Sequence, residues 1–332
     1  MPTAVVVIPT RNEEKSIERV IEEVRSAFDG SKYDRTEILI TDDSIDRTRA
    51  IARRAGAHVV NGGGEGLGAA MYRGLKESLA FDPDVIVAID GDGQTDAKAD
   101  IPRFLSVIEK DEADLVLGSR FKERGLLQYK YRFINRLGTR LLTYLLNAKT
   151  GLGLTDSHGG IRAMRPVVVR ELQMIGTHTY VQETIIDAAE KGFRIVELPS
   201  AWRVREHGTS RVVGSIPKYV FYTLPIILLR SGHHIRTLYN TGIGLATIAI
   251  LYFAVVVVEE GFTLAMGHRA PAFILIALLV STGLQLFFFG FMLQLLNQIK
   301  RTVDRVIYQH AEQRPDQKPA SATPRRGEGT RV

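Results

Sequence analysis

Two long stretches without any charged residue constrain the fold of this chain most strongly. Between Arg236 and Glu259 lie 22 uncharged residues, and between Arg269 and Lys300 lie 30. An apolar helix needs about 20 residues to cross the hydrocarbon core of a bilayer. A buried helix of a soluble protein is the alternative, but such a helix rarely lacks charge around its whole circumference for so long. We therefore predict a transmembrane hairpin within residues 236–300, with spans at 237–258 and 271–296.

The charges that flank the two spans predict their orientation. The connection between the spans holds two glutamates and one arginine, whereas five cations lie on the other side: Arg230, Arg236, Lys300, Arg301 and Arg305. Loops rich in Lys and Arg stay in the cytoplasm. The chain begins without the basic segment and small-residue cleavage site of a secretory signal. We therefore predict an integral membrane protein whose N-terminal domain faces the cytosol.

The first 215 residues follow a different pattern. Short β-branched runs alternate with segments that have helical apolar spacing, and they lie at 4–8, 37–41, 85–89, 115–117 and 194–198. Continuous apolar strands are typical of a mostly parallel sheet that is covered on both faces. After the first strand, Asn12 is a candidate N-cap for a helix with Ile17 and Val24 on its apolar face. We predict an α/β domain over residues 1–215.

Two further segments complete the chain. Residues 216–235 combine Tyr219, Phe221 and Tyr222 with two prolines and several cations, which suits an interfacial amphipathic segment at a membrane surface. An ordinary packing helix is the alternative for this segment. Residues 301–332 are rich in Arg, Pro, Gln and Gly and are expected to form a largely disordered basic tail. A bilayer already offers this tail an anionic partner, so we expect no nucleic acid.

Composition limits the available chemistry. The 43 Lys and Arg residues exceed the 37 Asp and Glu residues by 6, and hydrophobic residues make up 45% of the chain, which excludes bulk disorder. The chain has no cysteine, so disulfides, thiol nucleophiles, zinc ribbons and iron–sulfur clusters are excluded. Catalysis must therefore use Asp, Glu, His, Arg or Lys.

The sequence Asp-Gly-Asp-Gly-Gln at 90–94 is the strongest local signal for chemistry. Asp90 and Asp92 lie two residues apart directly after an apolar strand, so both carboxylates can share one face of extended backbone. Carboxylate oxygens are the ligands of hard divalent cations, and Gly91 lets a ligand approach the backbone closely. An acidic turn without a ligand is the alternative, because Asp and Gly also favour turns.

Polar residues also follow the first two predicted strands, at 9–13 and 41–46. Ligands of open α/β sheets bind beyond the carboxyl ends of strands, so these residues and the Asp90 motif predict a nucleotide and metal site. A glycine cluster at 62–68 offers a different interpretation, since Gly64, Gly66 and Ala69 fit the dinucleotide-binding pattern of dehydrogenases. We disfavour a dehydrogenase because the cluster follows a later strand and leaves the paired aspartates without a role.

These motifs, in this order, resemble a family 2 glycosyltransferase, in particular the dolichol-phosphate mannose synthases and related polyprenyl-phosphate glycosyltransferases. The resemblance runs from Val5 to about Val212, roughly two thirds of the chain. It implies a GT-A fold, a Rossmann-like domain with a mostly parallel sheet, here followed by interfacial helices and the transmembrane hairpin. The matching segments are 7–13, 42–43, 66–70, 90–94, 118–120, 160–163 and 205–211.

The resemblance also implies roles for individual residues. Asp90, Asp92 and Gln94 would hold Mg²⁺ or Mn²⁺. Donor contacts would come from Pro9, Arg11, Glu13, Asp42, Asp43, Gly66, Asp90, Gly91, Asp92 and Arg205. Acceptor-phosphate contacts would come from Arg120, Arg132 and Arg211, and Glu183 would lie near the sugar. The implied catalytic set is Asp92, Arg120, Arg132, Glu183 and Arg205.

The implied reaction is inverting transfer of a hexose from a nucleotide sugar to a polyprenyl monophosphate in the bilayer. By resemblance, GDP-mannose is the first expectation for the donor and UDP-glucose the second. Arg11 stands where the family usually has tyrosine, so the resemblance does not fix the base or the sugar. A membrane glycosyltransferase that acts on a hydroxyl is the rival enzyme, with Glu183 as its base. A non-catalytic scaffold is disfavoured because both Asp90 and Asp92 are present. The oligomeric state stays open.

Overall fold

The computed structural model describes residues 1–129, 131, 133–174, 180–206, 233–259 and 266–312. The chain forms two compact units, Met1–Ser231 and Gly232–Val332. The predicted interfacial segment, apart from residues 233–235, and the end of the predicted tail lie outside the described residues.

The first unit contains seven strands and seven α-helices among its described residues. The strands are β1 Thr3–Thr10, β2 Arg35–Asp42, β3 His58–Asn61, β4 Val85–Ala88, β5 Leu115–Ser119, β6 Arg162–Met164 and β7 Ile195–Pro199. The helices are α1 Ile17–Ala27, α2 Thr48–Arg54, α3 Leu67–Ser78, α4 Ala97–Glu109, α5 Phe133–Thr150, α6 Pro166–Glu171 and α7 Val181–Glu190.

One sheet holds all seven strands in the order β3-β2-β1-β4-β6-β5-β7. Among these described strands only β6 runs antiparallel to its neighbours, β4 and β5. The prediction of a mostly parallel sheet is therefore confirmed. The strand order reverses between β1 and β4, and a crevice at such a switch point is where open α/β sheets bind ligands.

Helices cover both faces of the sheet. All eight residues of β1 are buried, because alternate side chains enter different cores. Val6 and Ile8 pack in a core with α1 and α4, whereas Val5 and Val7 pack in a second core with α3, α5 and α7. This explains why the strand reads as a continuous apolar run rather than an alternating one.

The start of α1 differs from the prediction. The helix begins at Ile17 after Ser16, and the predicted cap at Asn12 is wrong. Asn12 has a φ of 54°, and its side-chain Oδ1 accepts a hydrogen bond from the Ile45 N–H at 2.9 Å. The side chain of Asn12 therefore joins two loops at the carboxyl edge of the sheet instead of starting a helix.

The second unit is a pair of long helices, α8 His233–Glu259 and α9 Met266–Glu312. Their contacts run antiparallel: Tyr239 donates to Gln294 at 3.0 Å, and Glu259 pairs with Arg269 at 2.9 Å. Only 17% and 11% of the most apolar window of each helix is buried, whereas a core helix of a soluble protein would be mostly buried. The two helices are candidate membrane spans, Thr237–Glu259 and Arg269–Leu296.

Candidate active site

The ends of β1 and β2 are joined through Asp42. Thr10 is the register partner of Asp42, and its hydroxyl donates to Asp42 Oδ1 at 2.8 Å. The same oxygen accepts from Ser44 Oγ at 2.5 Å, and Oδ2 accepts from Arg49 Nε at 3.1 Å. Asp42 is fully buried. Its carboxylate therefore fixes the shape of this edge of the sheet.

The neighbouring Asp43 organises the glycine cluster. Its Oδ1 accepts from the backbone N–H of Gly64 at 2.9 Å. A Cβ on Gly62 would come within 2.6 Å of the same carboxyl group. Gly64 and Gly66 both have positive φ, at 75° and 127°, which side chains other than glycine rarely adopt. Contact with Asp43 therefore accounts for Gly62 and Gly64 without a bound dinucleotide.

Asp90 lies at the switch point, directly after β4. The Tyr180 hydroxyl shares its one proton between two acceptors, Asp90 Oδ1 at 3.1 Å and the Gly160 carbonyl at 2.8 Å. A Cβ on Gly160 would lie 2.0 Å from Asp90 Oδ2, so only glycine fits there. Arg162, which is fully buried, stacks over the Tyr180 ring with 4.9 Å between its Cζ and the ring centre. The position of Asp90 is therefore set by buried groups on both sides.

The electrostatics of Asp90 and Asp92 indicate a place for a cation. Burial and the charge of Asp92 raise the pKa of Asp90 to about 6, against the opposing effects of Tyr180, Arg162 and Arg205. Burial also raises the pKa of Asp92, although Arg205 and backbone hydrogen bonds act in the other direction. Two poorly solvated carboxylates that repel each other are stabilised by a cation.

Arg205 supplies a positive charge at this place. Its Nη2 donates to Glu13 Oε1 at 2.6 Å, and its Nη1 lies 3.7 Å from Asp92 Oδ2. Arg205 thus connects the loop after β1 with the loop after β4. The residues before it run alongside the Asp90 motif, since the Arg203 N–H donates to the Gln94 carbonyl at 2.7 Å and the Gln94 amide donates back to the Arg203 carbonyl at 3.2 Å.

A second cationic group, Arg120, follows β5. It forms a buried two-point ion pair with Asp156, with distances of 2.7 Å from Nε to Oδ2 and 2.9 Å from Nη2 to Oδ1. Three rings surround its guanidinium, with Cζ-to-centre distances of 4.8 Å for Trp202, 5.3 Å for Phe121 and 5.5 Å for Tyr131. Burial alone would lower the pKa of Arg120, but the Asp156 carboxylate outweighs it and raises that pKa. Arg120 is a fixed charge.

The Arg120 group and the Asp90 motif lie close to each other. Trp202 stacks on Arg120 and also forms a backbone bridge with Thr95, next to Gln94. The pKa of Tyr129 is raised mainly by burial, and both the Arg120 and the Asp92 charges act on it as well. The structure therefore places a fixed cation beside the proposed metal-binding motif.

Sequence reasoning missed the residues that hold Arg120 in place. Asp156 is buried, and its backbone N–H donates to Glu197 Oε1 at 2.8 Å. Glu197 also accepts from the backbone N–H of Thr155 at 2.9 Å. Glu197 could have been found from the sequence, because a carboxylate within the otherwise apolar strand β7 is unusual. Asp156 gave only a weak signal, because it lies in a polar loop before Gly160.

The remaining predicted residues lie in several settings. Pro9 is within β1, Arg11 is exposed in the following loop, and Glu183 is buried in the first turn of α7. Arg132 and Arg211 lie outside the described residues. The structure therefore brings together Glu13, Asp90, Asp92, Gln94 and Arg205, with Arg120 close by.

The side chains present fit a hard divalent cation that is completed by other ligands. Among the described residues, no group of three or more His, Cys, Asp or Glu side chains could hold a metal ion alone. Asp90 and Asp92 provide carboxylate oxygens, the ligand type that Mg²⁺ and Mn²⁺ accept, and such sites commonly add phosphate oxygens and water. This donor set suits an ion that arrives with a diphosphate.

Comparison with known proteins identifies the family. The family model for glycosyl transferase family 2 matches residues 5–173. A low-salt glycan biosynthesis hexosyltransferase, Agl6, from Haloferax volcanii is 31% identical over 206 residues, which are 62% of this chain but 49% of that longer protein. A dolichyl-phosphate hexose transferase from the same organism is 31% identical over 60% of this chain and 82% of its own length.

Two more comparisons agree with this match. A polyprenol monophosphomannose synthase from Mycolicibacterium smegmatis is 29% identical over 63% of this chain and 81% of its own length. The fold is similar to glucosyl-3-phosphoglycerate synthase from Mycobacterium tuberculosis in complex with Mn²⁺, UDP and phosphoglyceric acid, with a TM-score of 0.54, 21% identity, and coverage of 70% of this chain and 79% of that one. The predicted GT-A fold is confirmed, and the chain belongs to glycosyl transferase family 2.

Proposed function

We propose that this protein transfers a hexose from a nucleotide sugar to the phosphate of a polyprenyl monophosphate and gives a lipid-phosphate-linked sugar. The observation that carries the proposal is the junction of Glu13, Arg205 and Asp92 at the switch point, with the fixed charge of Arg120 beside it. Relatives named for dolichyl-phosphate and polyprenol-phosphate reactions support the acceptor class. The two candidate membrane spans support an acceptor that resides in a bilayer.

On the donor side, Asp90, Asp92 and Gln94 would hold Mg²⁺ or Mn²⁺. A bound divalent ion would neutralise negative charge on the diphosphate leaving group. Arg205 bridges Glu13 and Asp92, so its guanidinium would lie beside a diphosphate held at Asp92 and would suit two-point recognition of the phosphate oxygens. Arg205 would then stabilise the charge that develops as the bond to the sugar breaks.

Contacts to the donor nucleoside would come from the loops after β1, β2 and β3. Asp42 already accepts hydrogen bonds from Thr10, Ser44 and Arg49, so we assign it a positioning role. Glu13 and Asp43 would face the nucleoside more directly, together with Pro9, Arg11, Gly66 and Gly91. The first expectation for the donor is GDP-mannose and the second is UDP-glucose. The name of the relative from Mycolicibacterium smegmatis, polyprenol monophosphomannose synthase, supports mannose as the sugar and does not name the donor nucleotide.

On the acceptor side, Arg120, Arg132 and Arg211 would hold the lipid phosphate. Arg120 contributes a positive charge that Asp156 and three aromatic rings keep in place. A phosphate monoester has a second pKa of about 6, so it is largely a dianion at neutral pH and needs no strong base. Its oxygen would attack the anomeric carbon as the bond to the nucleoside diphosphate breaks, with inversion. Glu183 as a base for a hydroxyl acceptor is the rival assignment.

The experiment is sugar transfer by the full-length protein in lipid nanodiscs that contain polyprenyl monophosphate. A panel of labelled GDP- and UDP-hexoses is supplied with Mg²⁺, Mn²⁺ or a chelator. The test variant is Asp92→Asn, and its matched control is Asp82→Asn, an exposed aspartate whose φ of 49° asparagine also tolerates.

The expected result is metal-dependent labelling of the lipid phosphate from one donor. Asp92→Asn should abolish the product, whereas Asp82→Asn should leave it unchanged. Labelling of hydroxyl acceptors in place of the lipid phosphate would reject the proposal and make Glu183 the principal candidate base. Product that persists in the presence of a chelator would reject the metal assignment alone.

A further inference from the structure

His158 lies between the two halves of the candidate site and has no role in the reaction proposed above. Its backbone N–H donates to Asp156 Oδ1 at 2.9 Å, the same oxygen that accepts from Arg120 Nη2. Two residues further along the chain, Gly160 lies against the Asp90 carboxylate. Two residues span at most about 7 Å of extended chain. His158 is therefore close both to the Arg120 cation and to the first carboxylate of the Asp90 motif.

A short chain of hydrogen bonds fixes which ring nitrogen of His158 carries the proton. The Ser157 N–H donates to Thr143 Oγ1 on α5 at 3.1 Å, and the Thr143 hydroxyl donates back to Ser157 Oγ at 2.9 Å. Ser157 Oγ in turn lies 2.9 Å from His158 Nδ1. Ser157 is fully buried, and a buried hydroxyl without an acceptor is costly, so its proton goes to Nδ1. The proton of the neutral imidazole is then on Nε2.

The imidazole of His158 is uncharged at neutral pH. Burial lowers the pKa of His158 to about 4, outweighing the opposing Asp156 carboxylate, and the Arg120 charge acts in the same direction as burial. The side chain nevertheless keeps part of its surface exposed. A side chain that reaches solvent and is still so poorly solvated lines a recess rather than an open surface. His158 therefore offers a neutral N–H donor at the wall of a recess.

The proposed reaction requires the hexose to occupy the space beside this donor. The leaving diphosphate would be held at Asp92 and the attacking phosphate at Arg120. In an in-line displacement the anomeric carbon lies between the leaving and the attacking oxygen. A neutral donor at this place suits an uncharged hydroxyl group, whereas the phosphates on either side are served by arginines and by a cation.

We infer that His158 donates a hydrogen bond from Nε2 to a hydroxyl group of the donor hexose and thereby selects the sugar. The inference rests on the function proposed above, and it adds a specificity-determining residue to that site. A site that is built to bind one hydroxyl rejects a sugar that lacks it, because the buried donor is then left unpaired. Removal of this donor should weaken binding of the sugar without changing binding of the nucleotide.

Calorimetry can separate the sugar contact from the nucleotide contacts. The full-length protein in nanodiscs without acceptor lipid is titrated with GDP or UDP in the presence of Mn²⁺, and then with the hexose derivative of the same nucleotide. His158→Phe keeps a flat ring but removes the N–H, whereas His158→Gln keeps a side-chain N–H. The matched control is His58→Gln, since His58 is exposed on the edge strand β3 and pairs with Glu37.

We expect His158→Phe to weaken binding of the nucleotide hexose roughly tenfold, the value of one hydrogen bond, and to leave binding of the nucleoside diphosphate unchanged. Unchanged binding of the nucleoside diphosphate also shows that the variant is folded. His158→Gln should retain most of the affinity for the nucleotide hexose, and His58→Gln should retain all of it. An equal loss for both ligands, or no loss for either, would overturn the inference.

A kinetic measurement decides the question if His158→Phe does not fold. In His158→Gln the amide holds its N–H at a different angle from the imidazole, so the ratio of kcat/KM for two epimeric nucleotide hexoses should change several-fold. An unchanged ratio would overturn the inference.

Failure of the inference is distinguishable from failure of the proposed function. Wild-type protein that binds a nucleotide hexose but labels no lipid phosphate would reject the proposed function, and the calorimetry would still decide the role of His158. Wild-type protein that binds no nucleotide hexose would reject both.

Discussion

Asp156 holds Arg120 in place through a buried ion pair, although it lies outside every motif that the sequence suggested. Its carboxylate is the buried counter-charge of Arg120, and Glu197 holds its backbone. A buried ion pair that loses one partner leaves an uncompensated charge, which typically costs about 3–5 kcal/mol. We therefore predict that Asp156→Asn lowers the thermal stability of the protein and raises KM for the acceptor, measured by thermal unfolding and initial rates.

A surface ion pair provides the contrast for Asp156. Asp111 pairs with Arg165 and Arg194 but is exposed, and such pairs contribute little to stability. Asp111→Asn should therefore leave both the melting temperature and KM close to wild type. If Asp156→Asn also left the melting temperature and KM unchanged, the ion pair with Arg120 would contribute neither to stability nor to the acceptor site.

Tyr180 is another residue whose role emerged only from the structure. Its hydroxyl donates to Asp90, and burial together with the Asp90 charge raises the Tyr180 pKa well above its ordinary value, so it stays a donor. A hydrogen bond to a charged group contributes about 1.5–3 kcal/mol. Tyr180→Phe should therefore weaken the binding of Mn²⁺ at least about tenfold, measured by metal titration of activity and by electron paramagnetic resonance.

The control for Tyr180 is Tyr72, whose hydroxyl donates to the Leu172 carbonyl. Tyr72→Phe also removes one hydrogen bond but lies away from Asp90, so it should leave Mn²⁺ binding unchanged. Equal metal affinity in the two variants would show that Tyr180 does not orient Asp90.

The loop before β6 lies directly against the Asp90 carboxylate. Gly160 lies against Asp90, and a methyl group there would come within 2.0 Å of the carboxylate oxygen. Asp90 is held by Tyr180 and has little room to move. We predict that Gly160→Ala displaces the Asp90 carboxylate and abolishes transfer while the chain remains folded, measured by activity and circular dichroism.

Gly153 lies in the same connection and offers a matched variant. A Cβ at Gly153 meets no atom within 4 Å. Gly153→Ala should therefore retain the activity of the wild type. Retained activity in Gly160→Ala would show that the loop can shift and that contact with Gly160 does not fix Asp90.

The strands that the sequence predicted are all indicated by a pattern of neighbouring residues. The strands β1, β2, β4, β5 and β7 all contain short runs rich in β-branched and other apolar residues, and the Asp90 motif directly follows one of these strands. In contrast, β6 has three residues and includes Arg162, so its pattern does not indicate a strand. Its place between β4 and β5 depends on tertiary contacts that no short window of sequence contains.

The same distinction separates the two sets of site residues. Glu13, Asp92 and Arg205 were expected together, and the structure brings them together. Asp156 and Tyr180 act through partners that are 36 and 90 residues away, Arg120 and Asp90. A short window of sequence contains no information about such pairs. Asn12 shows the opposite error: its residue type predicts a helix cap, but its side chain makes a long-range contact with Ile45 instead.

The two candidate spans predict on which side of the membrane each end of the chain lies. Two spans return the chain to the side on which it began, so the catalytic unit and the C-terminal tail would share one side of the membrane. The cations outside the hairpin, including Arg236, Lys300 and Arg301, favour the cytosolic side for both, whereas the connection between the spans contains Glu259 and Glu260.

This orientation is testable with reporter fusions in a bacterial host. Alkaline phosphatase requires disulfides and is active only in the oxidising periplasm. We expect it to be active when inserted between residues 260 and 265 and inactive when fused after Val332. A fluorescent protein at each position controls for expression. Active phosphatase at the C-terminus would place the tail outside the cytosol and, with two spans, the catalytic unit as well, where cytosolic nucleotide sugars could not reach the carboxylates of Asp90 and Asp92.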